Sequence, residues 1–249
     1  MSCFPESALH LSLSRRRGLI LLGGLACASV FAADELREIS PPGVAPRDAA
    51  LTSLLSRMRR IVTDRDYRSL EALMSPTFRV EFDVGQGPRV SHNHWLSESH
   101  QSPLWKILER LLSLDGTFYS PTLYVLPYVY ARFPIDLNPL EYVVAVKEEV
   151  PLFAKPENGA EPIGFLQHSI VPLAKPLEPP VIIPSEGFIE LNHPVLGKCF
   201  AACSGVYSPA GHRAFFEKRK GEWRWISLVA ATLAQPPKLE RLKTGTQNQ

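Results

Sequence analysis

The stretch Phe78-Arg79-Val80-Glu81-Phe82-Asp83-Val84 is apolar at every even position and charged at every odd one. A period of two puts the four apolar side chains on one face of a strand and leaves the other face wet. Upstream the period is different. Leu51, Leu54, Leu55, Met58, Ile61 and Val62 recur at three- and four-residue steps, which predicts a helix over 47–62 with one apolar stripe. A second, shorter helix is predicted over 64–74, with Tyr67, Leu70, Leu73 and Met74 inward, and Ser75-Pro76 stops it. Downstream, Gly85-Gln86-Gly87-Pro88 closes the strand in a turn. A third helix begins at Ser102 as N-cap with Pro103 in its first turn, and runs through Leu104, Ile107, Leu108, Leu111 and Leu112 to Asp115-Gly116. The fold class is therefore α+β: two to three N-terminal helices packed on an antiparallel sheet.

The later sequence is built from shorter pieces. Residues 118–134 are rich in Tyr, Phe and Val and read as one or two strands, broken at Pro121 and Pro127. Between 141 and 210, short Val, Ile, Leu and Phe runs are punctuated by prolines. That pattern predicts a small β-barrel or sandwich. Residues 212–216 and 223–229 flank Glu217-Lys218-Arg219-Lys220-Gly221-Glu222 and predict a β-hairpin with a wet tip. The chain has 23 prolines in 249 residues, above the usual level of about 5%. Short strands and rigid loops accommodate that content; a long-helix bundle does not. With 45% apolar and 21% charged residues, the chain can fill a core.

The N-terminus carries an address. Arg15, Arg16 and Arg17 precede an uncharged apolar run from Gly18 to Ala32, which ends in Val30-Phe31-Ala32. A basic start, a short apolar middle and a small-residue exit predict a signal peptide over residues 1–32, cleaved after Ala32 or Ala33. The run is shorter than the ~20 residues that span a bilayer. Two variants compete with plain secretion: Ser14-Arg15-Arg16-Arg17-Gly18-Leu19 has the look of a twin-arginine signal, and Gly24-Leu25-Ala26-Cys27 that of a lipid-anchor box at Cys27. Cleavage after Ala32 leaves 24 basic and 24 acidic residues. A chain without net positive charge lacks the footprint that nucleic-acid binding needs, so that class is excluded. The predicted destination is periplasmic or secreted.

The domain plan that follows is a signal peptide (1–32), a proline-rich linker (33–46), an α+β domain (47–140 plus 211–235), a β-barrel (141–210) and a loose tail (236–249). Cys199 and Cys203 remain after cleavage. An exported location permits a disulfide between them. Four residues of extended strand would hold their alpha carbons roughly 13 Å apart, beyond the ~7 Å limit for a bridge. A disulfide therefore needs a tight turn through Phe200-Ala201-Ala202, and two buried thiols on one strand face are the other reading.

Three sets of residues suggest chemistry. In Ser91-His92-Asn93-His94-Trp95 a strand would put His92 and His94 on one face, with His100 six residues on, and imidazoles bind zinc or copper. No acidic residue lies at a metal-motif spacing, so polar histidines in a loop are the favoured reading and no metal or other cofactor is expected. Glu81 and Asp83 share the wet face of the quoted strand, as paired general acids would, and Arg79 on that face supplies an ion-pair explanation. The aromatics Phe118, Tyr119, Tyr124, Tyr128, Tyr130 and Phe133 would line a groove or fill the core, and core is favoured. The sequence has no Gly-x-Ser-x-Gly elbow and no phosphate-cradling glycine loop.

Val150-Pro151-Leu152-Phe153-Ala154-Lys155-Pro156, Pro162-Ile163-Gly164-Phe165-Leu166, Ile170-Val171-Pro172-Leu173, Phe188-Ile189-Glu190-Leu191 and Gly197-Lys198-Cys199-Phe200 together resemble bacterial SH3 domains. Phe153 stands where that pattern has arginine, and Lys198-Cys199-Phe200 replaces its aromatic-valine pair. The two helices, the strand at 78–84 and the late Arg213-Ala214-Phe215-Phe216…Gly221-Glu222-Trp223-Arg224-Trp225 hairpin resemble the cone of the nuclear-transport-factor-2-like (NTF2-like) family. The whole is similar to exported bacterial proteins of unknown function with an SH3-like segment. The resemblance implies a non-enzymatic binding or scaffolding protein of the cell envelope, whose SH3-like module engages an envelope protein or peptidoglycan. The rival reading is an enzyme with a small-molecule pocket in the cone, using Glu81 or Asp83.

Overall fold

The computed structural model describes residues 36–43, 46–80, 86–95, 99–179, 181, 183–184 and 186–230, and the element order among them is mixed α+β. Helix α1 (Ala49–Asp64) starts at Asp48, whose carboxylate accepts the amides of Ala50 and Leu51 at 3.0 and 3.1 Å. It ends at Arg65, which adopts a left-handed conformation (φ 53°). Leu51, Leu55, Met58, Ile61 and Val62 form its buried stripe. Helix α2 (Tyr67–Glu71) is shorter than the predicted 64–74, because Asp66 caps a single turn and the chain extends again at Met74. Helix α4 (Pro103–Ser113) begins as predicted, with Ser102 accepting the Leu104 amide and Pro103 in the first turn.

The strand opened by the quoted stretch is β1 (Met74–Val80), four residues earlier than the alternation alone implies. Residues 81–85, with Glu81 and Asp83, lie outside the described residues. The other strands of this half are β2 (Thr117–Ser120), β3 (Leu123–Leu126), β11 (Arg213–Arg219) and β12 (Glu222–Val229). Their order is β1-β12-β11-β3-β2. The predicted hairpin is β11–β12, antiparallel, with a bulge between Phe215 and Phe216. One correction concerns β1, which pairs β12 in parallel and makes the sheet mixed where an antiparallel one was expected. Parallel pairing needs a long crossover, and the whole chain between Val80 and Glu222 supplies it.

Helices and sheet bury one common core. Phe78, Trp105, Leu108, Phe216 and Trp225 all lie within it. Phe78 meets the Trp225 ring edge-on at 4.6 Å, and Trp225 Nε1 donates to the Ser227 carbonyl at 3.0 Å. The space between helices and sheet is filled by these side chains.

The second strand predicted within 118–134 turns into helix α5 (Tyr128–Arg132) after Pro127. Tyrosine and valine favour strands, but here one helical turn lets Tyr128 and Val129 pack on Val144 and Ile170; packing overrides propensity. The β-rich half holds β4 (Tyr142–Ala145), β5 (Val150–Phe153), β6 (Pro162–Leu166), β7 (Ile170–Pro172), β8 (Phe188–His193), β9 (Gly197–Ala202) and β10 (Val206–Tyr207). They form a three-stranded sheet, β10-β4-β7, and a four-stranded sheet, β6-β5-β9-β8. A single bridge, Leu173 to Leu191, joins the two. Val143, Val150, Leu152, Val171, Leu191 and Val206 share the enclosed core. Among the described residues no pairing closes β6 onto β10, so the predicted barrel is observed as two sheets over one core. A 3-10 turn, Cys203–Gly205, leads into β10. Gly205 is required there: a Cβ would stand 2.7 Å from Val150 Cγ1.

The start of the described chain, Arg37 to Ile39, runs against β7. Glu38 bridges Ser169, and the Ile170 amide donates to the Arg37 carbonyl at 2.7 Å. Arg37 also pairs with Asp136 at 2.8 Å. The leader (1–32) with Cys27 and the tail (236–249) lie outside the described residues. No described helix is long and apolar enough to cross a membrane.

Candidate functional site

The three histidines do not form one site among the described residues. His92 and His94 lie on helix α3 (Pro88–Trp95), where residues two apart point in different directions. The strand that would have aligned them, and the loop of the favoured reading, are both replaced by this helix. The His92 ring lies 5.1 Å from that of Tyr67, His94 meets Trp95 at 4.7 Å, and His100 is exposed beyond the helix. No group of three ligand-type side chains gathers among the described residues.

The two cysteines are separate thiols. Cys199 is buried on β9, and Cys203 is buried in the 3-10 turn that follows. Burial pushes both thiols up from their ordinary pKa, so they stay protonated and weakly nucleophilic. The predicted aromatic group is dispersed as well. Phe118 and Tyr119 are exposed, Tyr124 and Tyr128 are buried, and Tyr130 packs edge-on against Phe215 at 5.5 Å.

Two features that sequence spacing did not single out now stand out. The first is the outer face of the four-stranded sheet. Residues paired directly across an antiparallel ladder share a face. Pro151 pairs with Phe165, Phe153 with Phe200, and Glu190 with Phe200. Leu152 and Ala201, on the opposite face, are completely buried. The outer face therefore carries Pro151, Phe153, Phe165, Phe188 and Phe200. Phe153 meets Phe188 edge-on at 5.8 Å, and Lys198 lies 5.7 Å over the Phe200 ring while pairing with Glu190 at 2.7 Å. Phe165 is 55% exposed and its neighbour Ile163 43%. Both sit on β6, an edge of this sheet that no strand pairs among the described residues. An antiparallel sheet normally turns a polar face to water; this one presents phenylalanines.

The second is a cavity of about 370 Å³ between α3, α4 and the chain from Cys203 to His212. Trp95, Ile107, Val181, Ile183 and Val206 give it apolar walls, and Lys106 and Arg110 bring two cations from consecutive turns of α4. Arg110 Nη2 donates to the carbonyls of Ser204 and Val206 at 3.0 and 3.1 Å. Tyr207 donates its hydroxyl to the His212 carbonyl at 2.5 Å. Burial, then the neighbouring Arg213, pushes His212 down to about 4, so its imidazole is neutral at pH 7. Arg213 is itself 5% exposed, lies 4.5 Å over the Tyr130 ring, and its Nε has no hydrogen-bond partner among the described residues. No carboxylate lines the cavity among the described residues.

No protein-family model and no curated protein matches the chain. Solved structures similar to it include a putative calcium/calmodulin dependent protein kinase II association domain from Xanthomonas campestris. That match has 8% identity and a TM-score of 0.27, over 79% of this chain and 96% of the other. Another is an NTF2-like protein of unknown function from Pseudomonas putida, with 10% identity and a TM-score of 0.23, over 76% of this chain and 96% of that one.

Proposed function

We propose that the protein is an exported, non-enzymatic binding or scaffolding protein of the cell envelope, which engages an envelope protein or peptidoglycan through its β-rich half. In this reading the leader over residues 1–32 directs export, the helices and five-stranded sheet are an NTF2-like body, and residues 141–210 are an SH3-like module. One observation carries it: the outer face of the β6-β5-β9-β8 sheet is aromatic and its β6 edge is open among the described residues. Exposed apolar surface of that kind marks a contact site, and an open edge accepts a further strand from a partner. The rival enzyme reading needs a hollow between helices and sheet. Phe78, Trp105, Phe216 and Trp225 occupy that space, which favours binding.

Two measurements test this. Edman sequencing of the protein from the periplasmic fraction should begin at Ala33 or Asp34, and an intact leader in the cytosol would overturn the export step. The mature chain should co-sediment with purified peptidoglycan sacculi or with a defined envelope protein fraction. Phe165→Asp should weaken that retention about ten-fold or more, the loss expected when a charge replaces an aromatic anchor of the contact. Retention by neither material, or retention indifferent to Phe165→Asp, contradicts the reading.

A further inference from the structure

The cavity beside α4 combines two properties that are seldom found together on an ordinary surface. Its walls are apolar, and its charged lining is of one sign. Lys106 and Arg110 stand one turn apart on the same helix, and Arg213, which follows the lining residue His212 in sequence, adds a third positive charge that acts on Tyr207. None of these three cations forms an ion pair among the described residues. A guanidinium held by two backbone carbonyls keeps its full charge and has donors to spare, since the group carries five N–H bonds. An unbalanced positive potential beside apolar walls attracts an anion, and the walls reward a hydrocarbon attached to it.

We propose that this cavity is a binding site for a small amphipathic carboxylate, with the hydrocarbon against Trp95, Ile107, Val181 and Ile183 and the acid group held by Arg110 and Lys106. The volume lies within the range of small-molecule pockets, about 300–1,000 Å³. The guanidinium suits a carboxylate because its planar donors match the two oxygens. His212, neutral at pH 7, adds a polar edge without charge. The site is independent of the aromatic sheet face and of whatever that face touches.

The test uses the full mature chain and octanoate, with octanol and octylammonium as probes of equal tail. Calorimetry, with tryptophan fluorescence reporting on Trp95, should show saturable one-site binding of octanoate. Octanol and octylammonium should bind about ten-fold or more weakly, the loss expected for a missing charge-assisted hydrogen bond. Arg110→Met should weaken octanoate by a similar factor and leave octanol unchanged. Arg110 also holds the Ser204 and Val206 carbonyls, so Lys106→Glu, at an exposed position with no ion pair among the described residues, decides the matter if Arg110→Met unfolds. It should weaken octanoate several-fold, and added salt should shrink the difference. Equal affinity for the three probes, no saturable octanoate binding, or a Lys106→Glu protein with unchanged octanoate affinity would each overturn the proposal.

Discussion

Replacing Trp225 with alanine should lower the free energy of unfolding by about 3–5 kcal/mol, the usual cost of deleting a buried aromatic ring. The side chain is completely buried where α1, β1 and β12 meet. It contributes the edge-on contact with Phe78 and an indole hydrogen bond to Ser227. Alanine leaves a void in a core that also depends on Trp105 and Phe216, and a rigid sheet cannot collapse into it. Typical domains have only about 5–15 kcal/mol of stability, so the variant should be marginal at physiological temperature. Urea titration followed by circular dichroism measures the change. Trp225→Phe, which keeps a ring against Phe78, should lose distinctly less. A Trp225→Ala loss below about 1 kcal/mol would mean that the space between helices and sheet is not packed as described.

Lowering the pH from 7 toward 4 should cost about 3 kcal/mol of stability through His212 alone. The fold holds this imidazole down to about 4 from an ordinary 6.5. As the pH falls through 6.5 the unfolded chain takes up the proton first, so stability is full above that value and declines until the native state also protonates near 4. Each unit of difference is worth about 1.36 kcal/mol. The cause is burial, reinforced by the charge of Arg213 at the next position. His193 contributes in the same direction, because burial lowers it and its Nδ1 accepts the amides of Val195 and Leu196. Asp48, Asp66 and Asp136 are held below the carboxylate range by their hydrogen-bonding partners, Lys218, Ser69 and Arg37 in turn. Their contribution is lost only as the pH falls below about 4. The His212→Gln variant should therefore flatten most of the slope between pH 6.5 and 4 and leave the steeper acid limb. Unfolding free energies measured across this range would refute the assignment if the variant kept the full slope.

Local pattern determined what could be read in advance. The stripe of α1, the Ser102-Pro103 start of α4 and the β11–β12 hairpin each have a period or a cap within about a dozen residues, and each was legible. The mixed α+β class followed from them. The parallel pairing of β1 with β12 was not legible, because register between strands some 140 residues apart is set by the core they share and leaves no local mark. Helix α5 defeated its own strand-forming residues through the contacts of Tyr128 and Val129. The histidine cluster dissolved for a related reason: a change from period two to period 3.6 scatters side chains that a strand would align. The functional surfaces were the least visible. Phe153, Phe165, Phe188 and Phe200 share an outer face only once the strand pairing is known, and nothing in the local sequence by itself marks Lys106 and Arg110 as lining a cavity. The one available signal was their four-residue spacing around Ile107 in α4, which meant nothing until the chain from Cys203 to His212 folded over it.

The sharpest trial of the account is photo-crosslinking in living cells, with a photo-reactive phenylalanine analogue placed at Phe165 and, separately, at exposed Arg57 on α1. If the aromatic face was built for contact, illumination should tether position 165 to one discrete envelope component while position 57 yields none. Adducts at neither position, or the same adducts at both, would mean that those phenylalanines meet only solvent.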